Sequence, residues 1–345
     1  MSPQPISTFS RSWPVCRSVF SHSTPMVGLM VQVTGLHHVT AISGDAQENL
    51  EFYTGLLGLR LVKRTVNQDV PDTYHLFYAD GEGRPGTDIT FFPWPNMPPA
   101  RPGIGLTSEI GFSVADGSLD YWAERLSASD VAVNSEQRFG ERVIAFRDPH
   151  GLGLSLTETS APLDTAPWDR STVPAPHQLR GFHAVRLWER DLDRTGHFLT
   201  EGLGFEQTGD DSGWHRFEVA GGGAGRRLEV RELPDERRGA WGTGAVHHVA
   251  FRVDDVDQQA LVRERVARAG QQPTQVIDRF WFRSVYFKEP GGALFEVATD
   301  GPGFTVDEHA DTLGETLILP PWLESRRAEI EAGLPALGAP VTGNV

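Results

Sequence analysis

Two histidine doublets and one glutamate are the residues of this chain best suited to chemistry. His37 and His38 stand in GLHHVTAI at 35–42, His247 and His248 in AVHHVAFRV at 245–253, and Glu296 in ALFEVATD at 293–300. Two imidazoles and one carboxylate can occupy one face of a divalent cation. Such a set suits Fe(II) and leaves coordination positions open for small molecules. A single strand histidine is ordinarily a packed residue, so the case rests on how the three are placed. Strand alternation puts the two members of each doublet on opposite faces, so only one of each pair is expected to reach a common metal. Thr40 shares the face of His38 and is expected near the same metal.

The segments that carry these residues are copies of one unit. SEIGFSV at 108–114 and GFHAVRLW at 181–188 are weaker relatives of the doublet strands. Their alignment is read as one column holding His38, Glu109, His183 and His248. The third copy keeps only His183, and on this reading it selects the second histidine of each doublet, His38 and His248, as the ligands. An amphipathic helix follows each strand, with stripes at Leu50, Tyr53 and Leu57; Leu119, Trp122 and Leu126; Leu192, Leu199 and Leu203; and Val262, Val266 and Ala269. Short β-rich runs come next, at 60–66, 74–79 and 88–92 in the first copy and at 275–278, 283–288 and 293–298 in the last. One βαβββ unit leaves an open sheet edge and a half-covered apolar face, and pairing units removes both. The expected fold class is therefore α+β, four βαβββ modules forming two cup-like half-barrels. Two modules fall in 33–160 and two in 178–300, with proline-rich breaks at 93–103 and 160–177. Residues 301–345 form a C-terminal extension with a short helix near 321–333. Residues 1–32 read as a disordered tail or a mis-assigned start, with Met26 or Met30 as alternative starts.

Composition narrows the function classes. The 345 residues hold 31 Lys and Arg against 46 Asp and Glu, a net charge of -15. That balance argues against a general nucleic-acid binder, whose affinity rests on cationic contacts to phosphate. No apolar run approaches the ~18 residues of a membrane span. The single cysteine, Cys16, excludes an intrachain disulfide and a Cys-based metal site, and points to the cytoplasm. A homo-oligomer is compatible with the sequence. A rival metal site is available in the middle modules at Glu109, His183 and Glu229, with Ser155 where a last-strand carboxylate would sit. Glu229 lies in the charge-rich RRLEVRE and reads as a solvated edge residue.

The order of segments carries a resemblance. GLHHVTAI, FYTGLLGLRLVKRTVN (52–67), YHLFYAD and GRPGTDITFFP (74–93), RFGERVIAFRDPHG (138–151), RGFHAV (180–185), VHHVAF (246–251), DRFWFRSVYFKEPGGALFE (278–296) and GFTVDEHADTLGETLILPPWLE (303–324) follow one another. Over residues 33–325 the chain resembles the hydroquinone-type ring-cleaving dioxygenases of the vicinal oxygen chelate superfamily. The resemblance implies Fe(II), with Mn(II) accepted by the same ligands, on His38, His248 and Glu296. It implies that modules one and four share one cup and modules two and three the other. It also implies a surrounding set of His37, Thr40, His247, Arg279 and Tyr286. In that set His247 or His37 would move a proton, Arg279 would stabilise oxyanion charge, and Tyr286 would donate a hydrogen bond to a ring oxygen. The implied reaction is extradiol-type insertion of O2 into a substituted hydroquinone or related aromatic diol. A para-diol puts one oxygen on a metal and a catechol two, and the sequence leaves that choice open. The run Phe280, Trp281 and Phe282 is expected to shape the substrate wall. Two other readings stand beside this one: a glyoxalase-type lyase or isomerase, and a non-enzymatic binding protein of the bleomycin-resistance type.

Overall fold

A computed structural model describes residues 32–343. The expectation for residues 1–32, and Cys16 with it, lies outside the described residues except for Gln32. Module one holds strands β1 (Leu36–Ser43), β2 (Arg60–Val66), β3 (Tyr74–Ala79) and β4 (Asp88–Pro93). Module two holds β5 (Thr107–Ala115), β6 (Asn134–Arg138), β7 (Glu141–Arg147) and β8 (Gly153–Thr159). Module three holds β9 (Phe182–Glu189), β10 (Glu206–Asp211), β11 (Trp214–Glu218) and β12 (Arg227–Glu232). Module four holds β13 (Val246–Val253), β14 (Ile277–Asp278), β15 (Arg283–Lys288) and β16 (Leu294–Thr299).

A helix follows the first strand of every module, and in three of the four an aspartate starts it. Asp45 accepts hydrogen bonds from the backbone N–H of Gln47 and Glu48, Asp191 from that of Arg194, and Asp255 from those of Asp257 and Gln258. These bonds satisfy donors that a helix start otherwise leaves unpaired. Leu50, Tyr53, Leu57, Leu119, Trp122, Leu126, Leu199, Leu203, Val262 and Val266 from the helical stripes are all buried in one core. Strand residues such as Val39, Ala41, Val249 and Phe251 point into the same core.

The strands form two eight-stranded sheets. One runs β14-β15-β16-β13-β1-β4-β3-β2 and the other β10-β11-β12-β9-β5-β8-β7-β6. Modules one and four thus share one sheet, and two and three the other, as expected. Within a module the first and last strands run parallel; between modules the first strands pair antiparallel, with Thr40 opposite His248. Because alternate residues face opposite sides, Val39 and Val249 pack under the helices while Ala250 joins Val62, Phe77, Trp281 and Phe282 in a separate cluster inside the first cup.

The C-terminal extension closes over this cup. Phe304 and Leu313 pack into the inner cluster, and Leu319, Leu323 and Ile330 pack on Val66. Lys63 is wholly buried beneath it, 2.8 Å from Asp307 Oδ1, in contact with Glu308 and 5.1 Å from the Trp281 ring centre. The short helix of the extension is Arg327–Gly333.

Two sequence expectations fail at the centre of the fold. The doublets do not split across the sheet. The β1–β13 register skips His37 and His247, which places each first histidine at a bulge. A bulge takes one residue out of the pairing and re-aims its side chain. The imidazoles of each doublet consequently touch, Nδ1 to Nδ1, at 2.9 Å for His37 and His38 and 2.8 Å for His247 and His248. The second failure is the column. The β5–β9 register skips His183 as the β1–β13 register skips His247, and Ala184 stands opposite Gly111 as His248 stands opposite Thr40. His183 is therefore the counterpart of His247, and the position equivalent to His248 holds an alanine.

Candidate metal centre

His38 on β1, His248 on β13 and Glu296 on β16 come from three neighbouring strands and meet inside the first cup. Their Nε2 atoms lie 3.2 Å apart, and Glu296 Oε2 lies 3.3 Å from that of His38 and 3.0 Å from that of His248. Among the described residues this is the one group of three ligating side chains gathered so closely, and all three are buried. A metal with ligand bonds of about 2.1 Å needs cis ligand atoms about 3.0 Å apart on an octahedral face and about 3.4 Å apart on a tetrahedral one. The triangle has the size for either.

Hydrogen bonding around the triangle favours a cation. His37 Nε2 lies 3.2 Å from the Thr299 carbonyl, which can only accept, so that nitrogen carries the proton. Burial above all, with the neighbouring His38, pushes the His37 pKa down to about 3. Neutral His37 therefore presents a bare Nδ1, His38 donates to it through Nδ1–H, and His38 Nε2 is left as a lone pair. That lone pair points at a carboxylate whose two oxygens have no hydrogen-bond donor. Lone pairs facing one another in a buried site are what a divalent cation relieves, and a metal-ligating histidine held through its other nitrogen is the usual arrangement. The His248 pKa is shifted down, by burial first.

The other expected residues surround this triangle. Thr40 Oγ1 lies 3.0 Å from His248 Nε2. His247 bonds His248 through Nδ1, and its ring stacks on Trp241 at 4.5 Å between centres. Burial, then His248, pushes the His247 pKa to about 3. The Tyr286 ring stands 5.6 Å from that of His248, and burial with Glu296 raises its pKa. Arg279 lies 5.4 Å from the Tyr286 ring centre and is also paired, at 3.0 Å and 3.2 Å, with the exposed carboxylate of Asp69.

The triangle opens on a cavity of about 360 Å³. Phe77, Phe92, Trp94, Trp281 and Phe282 line it together with His247, Arg279 and Tyr286. Trp281 and Phe282 were expected there; Phe280 is not part of the lining and packs instead on Trp322 of the extension. The sequence reading missed His75, Phe92, Trp94 and Thr90. A signal for Thr90 existed: β4 places it where β8 places Ser155.

The rival site is filled. Glu109 is held by Arg138, and Glu229 by Arg186 at 2.7 Å and Arg216 at 2.8 Å. His183 meets Arg227 at 2.8 Å, and Arg227 and Arg216 also bind Glu141. Glu229 is buried, not solvated. The remaining cavity, about 10 Å³, holds about one water. Four guanidinium groups occupy the space a cation and substrate would need.

Known proteins agree with this architecture. The family model described as the Glyoxalase/Bleomycin resistance protein/Dioxygenase superfamily matches residues 35–156 and 181–297. A Bacillus subtilis (strain 168) protein that carries the name ring-cleaving dioxygenase MhqA is 41% identical over 312 residues, 88% of this chain and 99% of that one. The chlorohydroquinone/hydroquinone 1,2-dioxygenase of Sphingobium indicum is 35% identical over 317 residues, 88% of this chain and 97% of that one. A crystal structure described as a dioxygenase from Bacillus subtilis subsp. subtilis str. 168 superposes with a TM-score of 0.85 at 39% identity, covering 89% of this chain and 98% of that one. Glyoxalase I from Zea mays, at 16% identity and a TM-score of 0.58 over 77% of this chain and 92% of that one, shares the fold. With paired βαβββ modules, a cluster of three potential metal ligands in one cup and relatives matched along nearly their whole length, the chain belongs to the glyoxalase/bleomycin resistance protein/dioxygenase superfamily.

Proposed function

We propose that this protein is a ring-cleaving dioxygenase that holds Fe(II), or Mn(II), on His38, His248 and Glu296 and inserts O2 into a hydroquinone-class aromatic diol by extradiol-type cleavage. The observation that carries the reading is the buried two-histidine, one-carboxylate triangle opening on an aromatic-walled cavity with ample room for a single ring. Relatives named for this chemistry support it. When bound on His38, His248 and Glu296, the metal would supply Lewis-acid activation of the diol and redox chemistry toward dioxygen.

The chain's own residues divide the remaining work. Both nitrogens of His37 are engaged, so it sets the tautomer of His38 and is a positioning residue. His248 can ligate through Nε2 only with its proton on Nδ1, which donates to His247 Nδ1, so neutral His247 carries its own proton on Nε2, unpartnered among the described residues and placed to donate to a substrate oxygen in the cavity. Tyr286 keeps its hydroxyl proton and donates to a ring oxygen. Arg279 holds developing oxyanion charge. Thr40 Oγ1 stands 3.0 Å from His248 Nε2, beside the candidate ligand atoms. The aromatic walls exclude water from the ring. The filled second cup speaks against a lyase centred on Glu109, His183 and Glu229. No helix among the described residues is long and apolar enough to cross a membrane; with no disulfide available, we place the enzyme in the cytoplasm.

The test is oxygen consumption by protein purified anaerobically and reloaded with Fe(II), given hydroquinone, methylhydroquinone, a chlorohydroquinone or catechol. One O2 is expected to disappear per ring opened, with a new product absorbance, and His248→Ala should abolish both. Metal uptake without oxygen consumption on any diol would refute the reading.

A further inference from the structure

One wall of the cavity carries a polar row whose far end, Thr90 and His75, the proposed chemistry does not use. From His248 Nε2 it passes 3.0 Å to Thr40 Oγ1, 2.7 Å to Thr90 Oγ1 and 2.8 Å to His75 Nε2. Sheet register builds the row: Thr40 faces His248 on β13 and Thr90 on β4, and His75 follows on β3. The imidazole at its end is clamped between two phenyl rings, 4.0 Å from the centre of Phe77 and 4.4 Å from that of Phe92.

With Nε2 engaged by Thr90, the free edge of this ring is Nδ1. It has no protein partner among the described residues, yet it is not a sealed orphan, because the ring lines the cavity. Its neighbours on that wall, Phe77 and Phe92, offer no hydrogen bond, and the Trp94 N–H is already donated to Thr73 Oγ1 at 3.0 Å. A threonine hydroxyl can donate or accept, so the His75–Thr90 bond permits either tautomer. A hydroxyl on the ligand can likewise donate or accept and matches Nδ1 in both cases, whereas a hydrogen or methyl matches neither. Burial foremost, with His38 and His248 nearby, holds the imidazole neutral.

A catechol bound through both oxygens at the triad has no hydroxyl left for this wall, while a para-diol bound through one oxygen has one. We infer that His75 is a specificity-determining residue whose Nδ1 hydrogen-bonds the substrate hydroxyl that is not held at the His38–His248–Glu296 triangle, selecting para-diols over ortho-diols. This assignment rests on the aromatic-diol reading of the same cavity.

The experiment is anaerobic calorimetric titration of the Mn(II)-loaded protein with hydroquinone, phenol and catechol. One hydrogen bond of ordinary strength makes hydroquinone about 3- to 10-fold tighter than phenol in the unaltered protein. His75→Leu should bring that ratio to about one, with phenol affinity and metal content nearly unchanged, and His75→Gln should restore part of it. Each protein is read as its own hydroquinone-to-phenol ratio, so a fraction of misfolded variant cancels. A ratio near one in the unaltered protein, or a ratio that survives His75→Leu, overturns the assignment. Oxygen uptake separates the two readings. Turnover without the ratio removes His75 alone, and the ratio without turnover removes the dioxygenase while leaving a para-diol site.

Discussion

If His38, His248 and Glu296 are metal ligands, the ion must stabilise the fold by an amount the triangle predicts. An ion present at about one hundred times its dissociation constant stabilises the folded state by about 2.7 kcal/mol. For about 310 described residues the unfolding entropy is about 0.65 kcal/mol/K, so the melting temperature rises by about 4 °C. Glu296→Gln removes the only anionic ligand and His248→Ala one of the two imidazoles; each should abolish the rise. His37→Leu is the graded case. It keeps all three ligands but removes the acceptor that leaves His38 Nε2 bare, a loss of about 10- to 100-fold in affinity. At the same ion concentration the rise then shrinks to about 1–2 °C. The assay is thermal unfolding of each protein with and without anaerobic Mn(II). Comparing each variant with itself removes the effect of the substitution on the apoprotein. A full rise in Glu296→Gln would refute the triangle as a metal site. A full rise in His37→Leu would refute the tautomer argument alone.

Other consequences can be checked independently. Glu109→Gln and Glu229→Gln should leave the metal-dependent rise unchanged, because arginines hold both carboxylates; a lost rise in either would move the metal to the second cup. Lys63→Met strands Asp307 and Glu308 under the extension and should cost about 3–5 kcal/mol in denaturant unfolding; a loss under about 1 kcal/mol would mean the two acids relax into water. Glu189 gives a pH signature. Burial first, then the charge of buried Glu289, pushes its pKa from 4.5 up to about 9. The folded state thus keeps a proton that the unfolded chain releases, so stability falls as pH rises from about 4.5 to about 9. Glu189→Gln should melt above the unaltered protein at pH 8.5 and level with it at pH 4 to 4.5; an equal difference at both ends would show that Glu189 keeps an ordinary pKa.

The modules were legible because each must satisfy its own chain locally. An apolar residue every third or fourth position and strands at 60–66 and 74–79 depend on contacts within a few residues or between adjacent strands. The grouping of the candidate ligands was legible in outcome and not in reasoning. His38 and His248 do meet Glu296, but His183 does not stand in their column. A one-residue bulge, set where β9 pairs with β5 across about 70 residues of chain, moves it to the column of His247. Strand alternation failed at the doublets for the same reason.

The cavity walls were less legible still. His75 looked like one more strand residue until β4 brought Thr90 beside it. The second cup looked like a candidate site because Glu109, His183 and Glu229 hold matching ligand types. Only packing shows that Arg138, Arg186, Arg216 and Arg227, each from a different strand, converge to fill it. The sequence by itself determined the βαβββ repeat and the residue types able to bind a metal, since these follow from short-range periodicity and chemistry. Tertiary structure alone decided which cup stays open. That depends on register and side-chain volume where modules far apart in the chain pair, and no local pattern encodes either.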